Sequence, residues 1–265
     1  MLKLIFYKLK PQAVSLLFLA LSLVVMNLVI YAAWKILGGQ QGALMGLVKD
    51  SLELVGIVSG EGTGLDNFAP SFLALGWRHP LMIAVFVGYA VSRGSKAVAA
   101  EIEGETAGFL FTLPLRRFLI ILADFLATSL GMFFLLASFI ISSMVVGSVF
   151  DLSIGAGRLA LTGFVTYLLY MSFYAIAYLL SILTRKPGMS ANITFLAVLG
   201  LYLLDLGGNL LDSLNSLRKV TLFAQYKVAE SLGGLSVLGG EMAFYLLVIL
   251  LFMGLTVFFS LKADY

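Results

Sequence analysis

Long runs of apolar residues, separated by short polar punctuation, dominate this chain. Six stand out, at about Ala13 to Trp34, Pro80 to Ala100, Phe118 to Phe150, Leu159 to Leu183, Met189 to Leu206 and Met242 to Leu261. About 20 apolar residues in a helix match the roughly 30 Å hydrocarbon core of a bilayer, so each run predicts a transmembrane helix. The third run exceeds what one straight crossing needs and predicts a tilted or broken span. Two intervening segments carry helical periodicity instead. In one, Leu44, Leu47, Val48, Leu52 and Val55 form a stripe with Lys49, Asp50 and Glu53 off it. In the other, Leu210, Leu214 and Leu217 oppose Asp212, Asn215 and Lys219. Each predicts an amphipathic helix, lying on the outer membrane face or packed as an ordinary cap on the bundle. Ahead of the first span, Leu2, Leu4, Ile5, Phe6 and Leu9 lead to a break at Pro11, which fits either a short interfacial elbow helix or a charged leader that only sets orientation.

Composition turns this pattern into a class. With 61% apolar and 12% charged residues and a mean hydropathy of +1.04, the chain reads as an all-α membrane protein, a single multi-pass domain over residues 1–265 in the cell membrane. The absence of cysteine excludes disulfides and thiolate metal or redox chemistry. The first apolar run is longer than a cleavable signal core and lacks a small-x-small cleavage site, so it is expected to stay as the first span. Six spans put both termini on one side. Lys3, Lys8, Lys10, Arg93, Lys96, Arg116, Arg117, Arg185, Lys186 and Lys262 fall in short segments on that side. The positive-inside bias therefore predicts that the termini, the Ser92 to Arg117 segment and the Arg185-Lys186 turn are cytoplasmic. The net charge of +3 reports topology here and does not point to a nucleic-acid partner.

Chemistry concentrates in Ser92 to Arg117, SRGSKAVAAEIEGETAGFLFTLPLRR, which carries seven charges. Glu101 and Glu105 are four apart and share a helix face while Glu103 points elsewhere, so the three make an acidic helix, not a catalytic carboxylate pair. Thr106 is placed to cap a following turn, Phe109 belongs to an apolar knob with Leu110, Phe111 and Leu113, and Pro114 stops the helix. A solvated loop helix with no special task is the plain alternative. Asp124, about 10 Å into the third span, is costly unless it snorkels or finds a partner. Ala123, Ala127 and Gly131 at four-residue spacing allow close helix packing. Tyr167, Tyr170, Phe173, Tyr174 and Tyr178 cluster on the fourth span, as core packing or as the border of a substrate route.

Enzyme and energy-coupling signatures are missing. The single histidine, His79, sits between Arg78 and Pro80 near the outer surface, and no span holds an H-E-x-x-H motif or a carboxylate pair, which argues against an intramembrane enzyme. Gly88 to Lys96 mimics a phosphate loop but has five residues between glycines and ends a span, so it is no ATP site. Too little chain lies outside the spans for a nucleotide-binding domain.

Glu101-Ile102-Glu103-Gly104-Glu105-Thr106, followed by Leu113-Pro114-Leu115-Arg116-Arg117 at the start of a span, resembles the E-x-E-x-G-T and small-x-P-x-x-R signature of the membrane subunits of type-2 ABC exporters. The six-span layout, the Arg185-Lys186 turn and the amphipathic segment before the last span resemble that family too. Glu105 stands where the family usually has Gly, and Asp124 where relatives often carry Lys. The resemblance implies a cytoplasmic coupling helix between the second and third spans, with Glu101, Glu103, Glu105, Thr106, Phe109, Pro114, Arg116 and Arg117 at the contact with a separate ABC-type ATPase and Arg185-Lys186 as a second cytoplasmic turn. It also implies a dimer with a second permease copy or homologue in membrane lipid, and ATP with Mg held by the partner and no cofactor in this chain. A secondary transporter or channel not driven by ATP is the alternative reading.

Overall fold

The structure, a computed structural model, describes residues 2–38, 73–74, 76–104, 117–152, 154–233 and 238–262. The first amphipathic segment, Leu44 to Val55, and the site candidates Glu105, Thr106, Phe109, Pro114 and Arg116 lie outside the described residues. All regular structure among the described residues is helical. The elements are α1 (Leu2–Leu9), α2 (Ala13–Gly38), α3 (Pro80–Lys96), α4 (Ala99–Glu103), α5 (Arg117–Val149), α6 (Ala156–Thr184), α7 (Pro187–Leu210), α8 (Asn215–Arg218), α9 (Val228–Gly233) and α10 (Leu238–Lys262). Short 3-10 turns at Lys10–Gln12, Asp212–Leu214 and Leu222–Gln225 join some of them.

The six long helices coincide with the six apolar runs. Five stretches are long and apolar enough to cross a membrane: Leu2–Ala33, Arg117–Val149, Ala156–Thr184, Pro187–Gly208 and Gly239–Lys262. The helix expected as a sixth span, α3, has 17 residues and closes on Arg93 and Lys96 in its last turn. At about 1.5 Å per residue that is about 26 Å, just under a bilayer core. The long third run is one continuous helix of 33 residues, not a broken one.

Local chemistry explains the boundaries. His79 Nδ1 accepts from Leu81 N at 3.2 Å and Pro80 follows at the first helical position, which starts α3 sharply. At the end of α6, Arg185 adopts φ 56° in the left-handed region, and Pro187 opens α7 two residues later. That cap reverses the chain in two exposed basic residues. Pro11 sits in the first positions of a 3-10 turn, where its missing N–H costs nothing, so α1 runs on into α2 through a tightened turn.

The centre of the bundle is α6. Tyr170, Met171, Phe173, Tyr174 and Tyr178 are fully buried on it. Phe86 of α3 stacks on Tyr170 with ring centroids 4.9 Å apart. Tyr170, Phe173, Tyr174 and Tyr178 thus pack in the core, one of the two expected roles, while Tyr167 is half-buried. α3 crosses α6 closely: a Cβ on Gly94 would meet the Tyr174 carbonyl oxygen at 2.6 Å and Ala177 Cβ at 2.7 Å. Only glycine lets the two backbones come this near. Along α2 and α5, Asn27 donates to the Phe139 carbonyl at 2.9 Å and to Ser142 Oγ at 2.5 Å, polar ties in a mostly apolar seam.

The segment after α7 departs from expectation. In place of one amphipathic helix over Leu210 to Lys219 there is a 3-10 turn and the four-residue α8, with Leu217 exposed. Arg218 folds back to Asp205, and its stem fits because Gly208 carries no side chain: a Cβ there would meet Arg218 Cβ at 2.5 Å. The Leu222–Gln225 turn then dips into the bundle, where Phe223 packs on Phe173 at 5.5 Å and Tyr245 donates to the Leu222 carbonyl at 2.8 Å.

Candidate functional site

One end of the bundle, the basal end, gathers the start of α1–α2, the end of α3, all of α4, the start of α5 and the ends of α6 and α10. Its anchor is Lys8. The Lys8 ammonium lies 3.2 Å from Glu101 Oε1 and 3.3 Å from Asp124 Oδ1. Tyr178 donates to Asp124 Oδ2 at 3.4 Å. Asp124 is 4% exposed, so it does not snorkel; it has a cation and a phenol instead. Three elements distant in sequence, α1, α4 and α5, thus meet on a single ammonium group.

The small residues of α5 make this docking possible. Ile5 of α1 packs against Ala123 and Ala127, with Leu4, Leu9 and Leu126 around them. One turn further, a Cβ on Gly131 would land on the Tyr89 hydroxyl, and that hydroxyl donates to Gln12 Oε1 at 3.0 Å. The Ala123-Ala127-Gly131 stripe therefore packs within the chain, receiving the elbow helix and α3. Within Met1 to Lys10, Leu2–Leu9 form helix α1, with Leu2, Phe6 and Tyr7 on its exposed face.

The α4 corner is held from below by α6. Ser181 Oγ accepts from Val98 N at 3.2 Å and from Ala99 N at 2.9 Å. A hydroxyl from another helix thus supplies the cap that Val98 cannot. With its first turn capped, α4 presents Glu101 inward to Lys8 and leaves Glu103 exposed; Gly104 ends it. Among the predicted residues the structure brings Glu101, Glu103 and Arg117 to this end. Arg117 donates to the Ser260 carbonyl at 2.7 Å, tying the start of α5 to the end of α10. Arg185 and Lys186, also exposed, lie one turn past Ser181.

A second buried ionic cluster lies at the opposite end. Asp205, fully buried, accepts from Arg218 Nε at 3.1 Å and pairs with Arg78. Beside it, Thr166 and Tyr226 share a hydrogen bond of 2.8 Å. Burial pushes the Tyr226 phenol well above its ordinary range, so it serves as a neutral polar group there. Lys8, Ser181, Arg78, Asp205 and Arg218 were not singled out by sequence. Two carboxylates near or within apolar runs were the available signal; their cations lie too far along the chain for spacing to pair them.

The basal end is thus cross-braced through α1, α4, α5 and α6, with an exposed acid, Glu103, on a short, capped helix between α3 and α5. The sequence model of the ABC-2 family transporter protein family matches residues 12–208, which takes in every one of these elements except α1 and the last three. The chain belongs to the ABC-2 transporter family. It is a multi-pass membrane protein and a transport permease of the ABC type, and the membrane component in such systems normally works with ABC ATPase partners. No match was found among curated proteins. In this permease the E-x-E residues divide their work: Glu101 is turned into the bundle and Glu103 out of it.

Proposed function

We propose that this permease forms the substrate path of an ATP-driven exporter, is energised by ATPase subunits bound in trans, and receives their movement at α4. The observation that carries the reading is the bracing of α4. Its N-terminus is held by Ser181 of α6 and its Glu101 by Lys8 of α1, which also holds Asp124 of α5. A push on Glu103 is thereby delivered to three helices at once. On this reading Glu105, Thr106, Phe109, Pro114 and Arg116 continue the contact surface, Arg117 relays it to α10, and Arg185-Lys186 forms a second, basic contact on the same cytoplasmic side. ATP and Mg belong to the partner. The active unit pairs this chain with a second permease copy or homologue, α3 crosses the membrane as the sixth span, and transport runs outward, as the family resemblance implies.

The test is charge reversal of Glu103 in the reconstituted complex. Glu103→Lys is expected to lower ATPase co-purification and permease-dependent stimulation of ATP turnover by roughly tenfold, the equivalent of about 1.4 kcal/mol of contact energy. Unchanged association and turnover would remove α4 as the coupling element. Ion-coupled secondary transport is the rival, and the buried acids Asp124 and Asp205 are what it would use. Both are already occupied by fixed cations of the same chain, which favours a structural role for them.

A further inference from the structure

On the outer side of the bundle a groove of about 1280 Å³ runs between α2 and α3, from Pro11 and Lys96 at the basal end to Ile30 and His79 at the other. Its walls are apolar for most of their length. Gly88 lies in one wall, and a Cβ placed there would meet nothing within 4 Å. The basal end differs: Arg93 and Lys96 line it, and among the described residues no carboxylate does. Arg93 Nε is buried and has no hydrogen-bond partner among the described residues. Asp124, the acid whose field reaches Arg93, has its oxygens on Lys8 and Tyr178. Arg93 and Lys96 place two cations at this end of the groove, and a phosphate flanked by them would gain charge-assisted hydrogen bonds.

We infer that this groove holds an anionic membrane phospholipid, with its phosphate on Arg93 and Lys96 and an acyl chain along the apolar walls. The dimensions agree. From Gln12 to Ile30, α2 rises about 27 Å, nearly the full hydrocarbon thickness of about 30 Å, so a chain occupying one leaflet fits within it. Charge argues against a second copy of this chain as the occupant. Two copies in one membrane, related by an axis along its normal and joined through this groove, would bring the Arg93 and Lys96 ends together at the same depth, cation against cation among the described residues. The inference does not depend on ATP coupling, because retention of a lipid by the purified chain requires no turnover.

The experiment is native mass spectrometry of the full-length chain in neutral detergent, offered equal amounts of phosphatidylglycerol and phosphatidylcholine. Wild-type protein is expected to retain phosphatidylglycerol preferentially. Arg93→Gln and Lys96→Gln are each expected to reduce that preference by roughly fivefold, the effect of one cation near an anionic headgroup. Gly88→Leu, which fills the groove from a position with free space before it, is expected to lower retention of both lipids, and Lys3→Gln to change nothing. Equal retention of the two lipids by wild type, or an undiminished preference in the Arg93→Gln/Lys96→Gln double variant, would overturn the proposal. So would a Gly88→Leu protein that turns from dimer to monomer with its lipid preference intact, which would assign the groove to a second copy.

Discussion

Asp124 and Lys8 illustrate how a charge survives inside an apolar bundle. A carboxylate removed from water is tolerated when a cation and a donor meet it, and removal of one member of a buried pair typically costs about 3–5 kcal/mol because the other is left uncompensated. Lys8→Met is therefore expected to lower the thermal midpoint of the purified permease markedly, and the Lys8→Met/Asp124→Leu double variant to recover most of the loss. Additive losses in the same melt, with the double variant less stable than Lys8→Met by the full cost of Asp124→Leu alone, would show that the two charges are not coupled. Asp124 was visible in sequence as a charge at depth, but its partner was not. Helical spacing tells which residues share a face of one helix; it is silent on which distant helix comes to cover that face.

For elements, the α4 corner is the informative case. Five residues make a helix too short to persist alone, and this one depends on a cap from Ser181. Ser181→Ala is expected to cost about 1 kcal/mol, concentrated locally: hydrogen exchange at Val98 and Ala99 should accelerate by several-fold while the α6 core stays protected. A uniform rise across the bundle would instead mark Ser181 as general packing. The long helices were legible because a continuous apolar run needs no partner to be recognised. The segment from Leu210 to Lys219 was not, since its apolar stripe suits one helix or two short turns equally. The choice between them is made by Arg218 reaching Asp205 past Gly208, a contact that periodicity does not record.

Across the whole molecule, the long helices alternate between the two ends of the bundle, with Lys8, α4, Ser181 and Ser260 together at one of them. Because the chain has no cysteine, single cysteines report sidedness without background. Introduced at Lys3, Lys96, Lys186 and Lys262, they are expected to react with a membrane-impermeant maleimide only from the cytoplasmic side, and at Val220 only from the other. Reaction of the Lys96 position from the same side as Val220 would show that α3 does not cross.

The ammonium group that joins α1 to α4 and α5 also sets an order of assembly. Lys8 emerges from the ribosome long before Glu101, which lies 93 residues later, and before Asp124, later still. By the time Asp124 is synthesised, its counter-ion is already part of the nascent chain. Deleting Leu2–Leu9 is expected to reduce the yield of inserted chain, read by protease protection during cell-free synthesis into membrane vesicles, more than it lowers the melting point of whatever chain has already been inserted. The opening helix then acts as a built-in escort for the third long one.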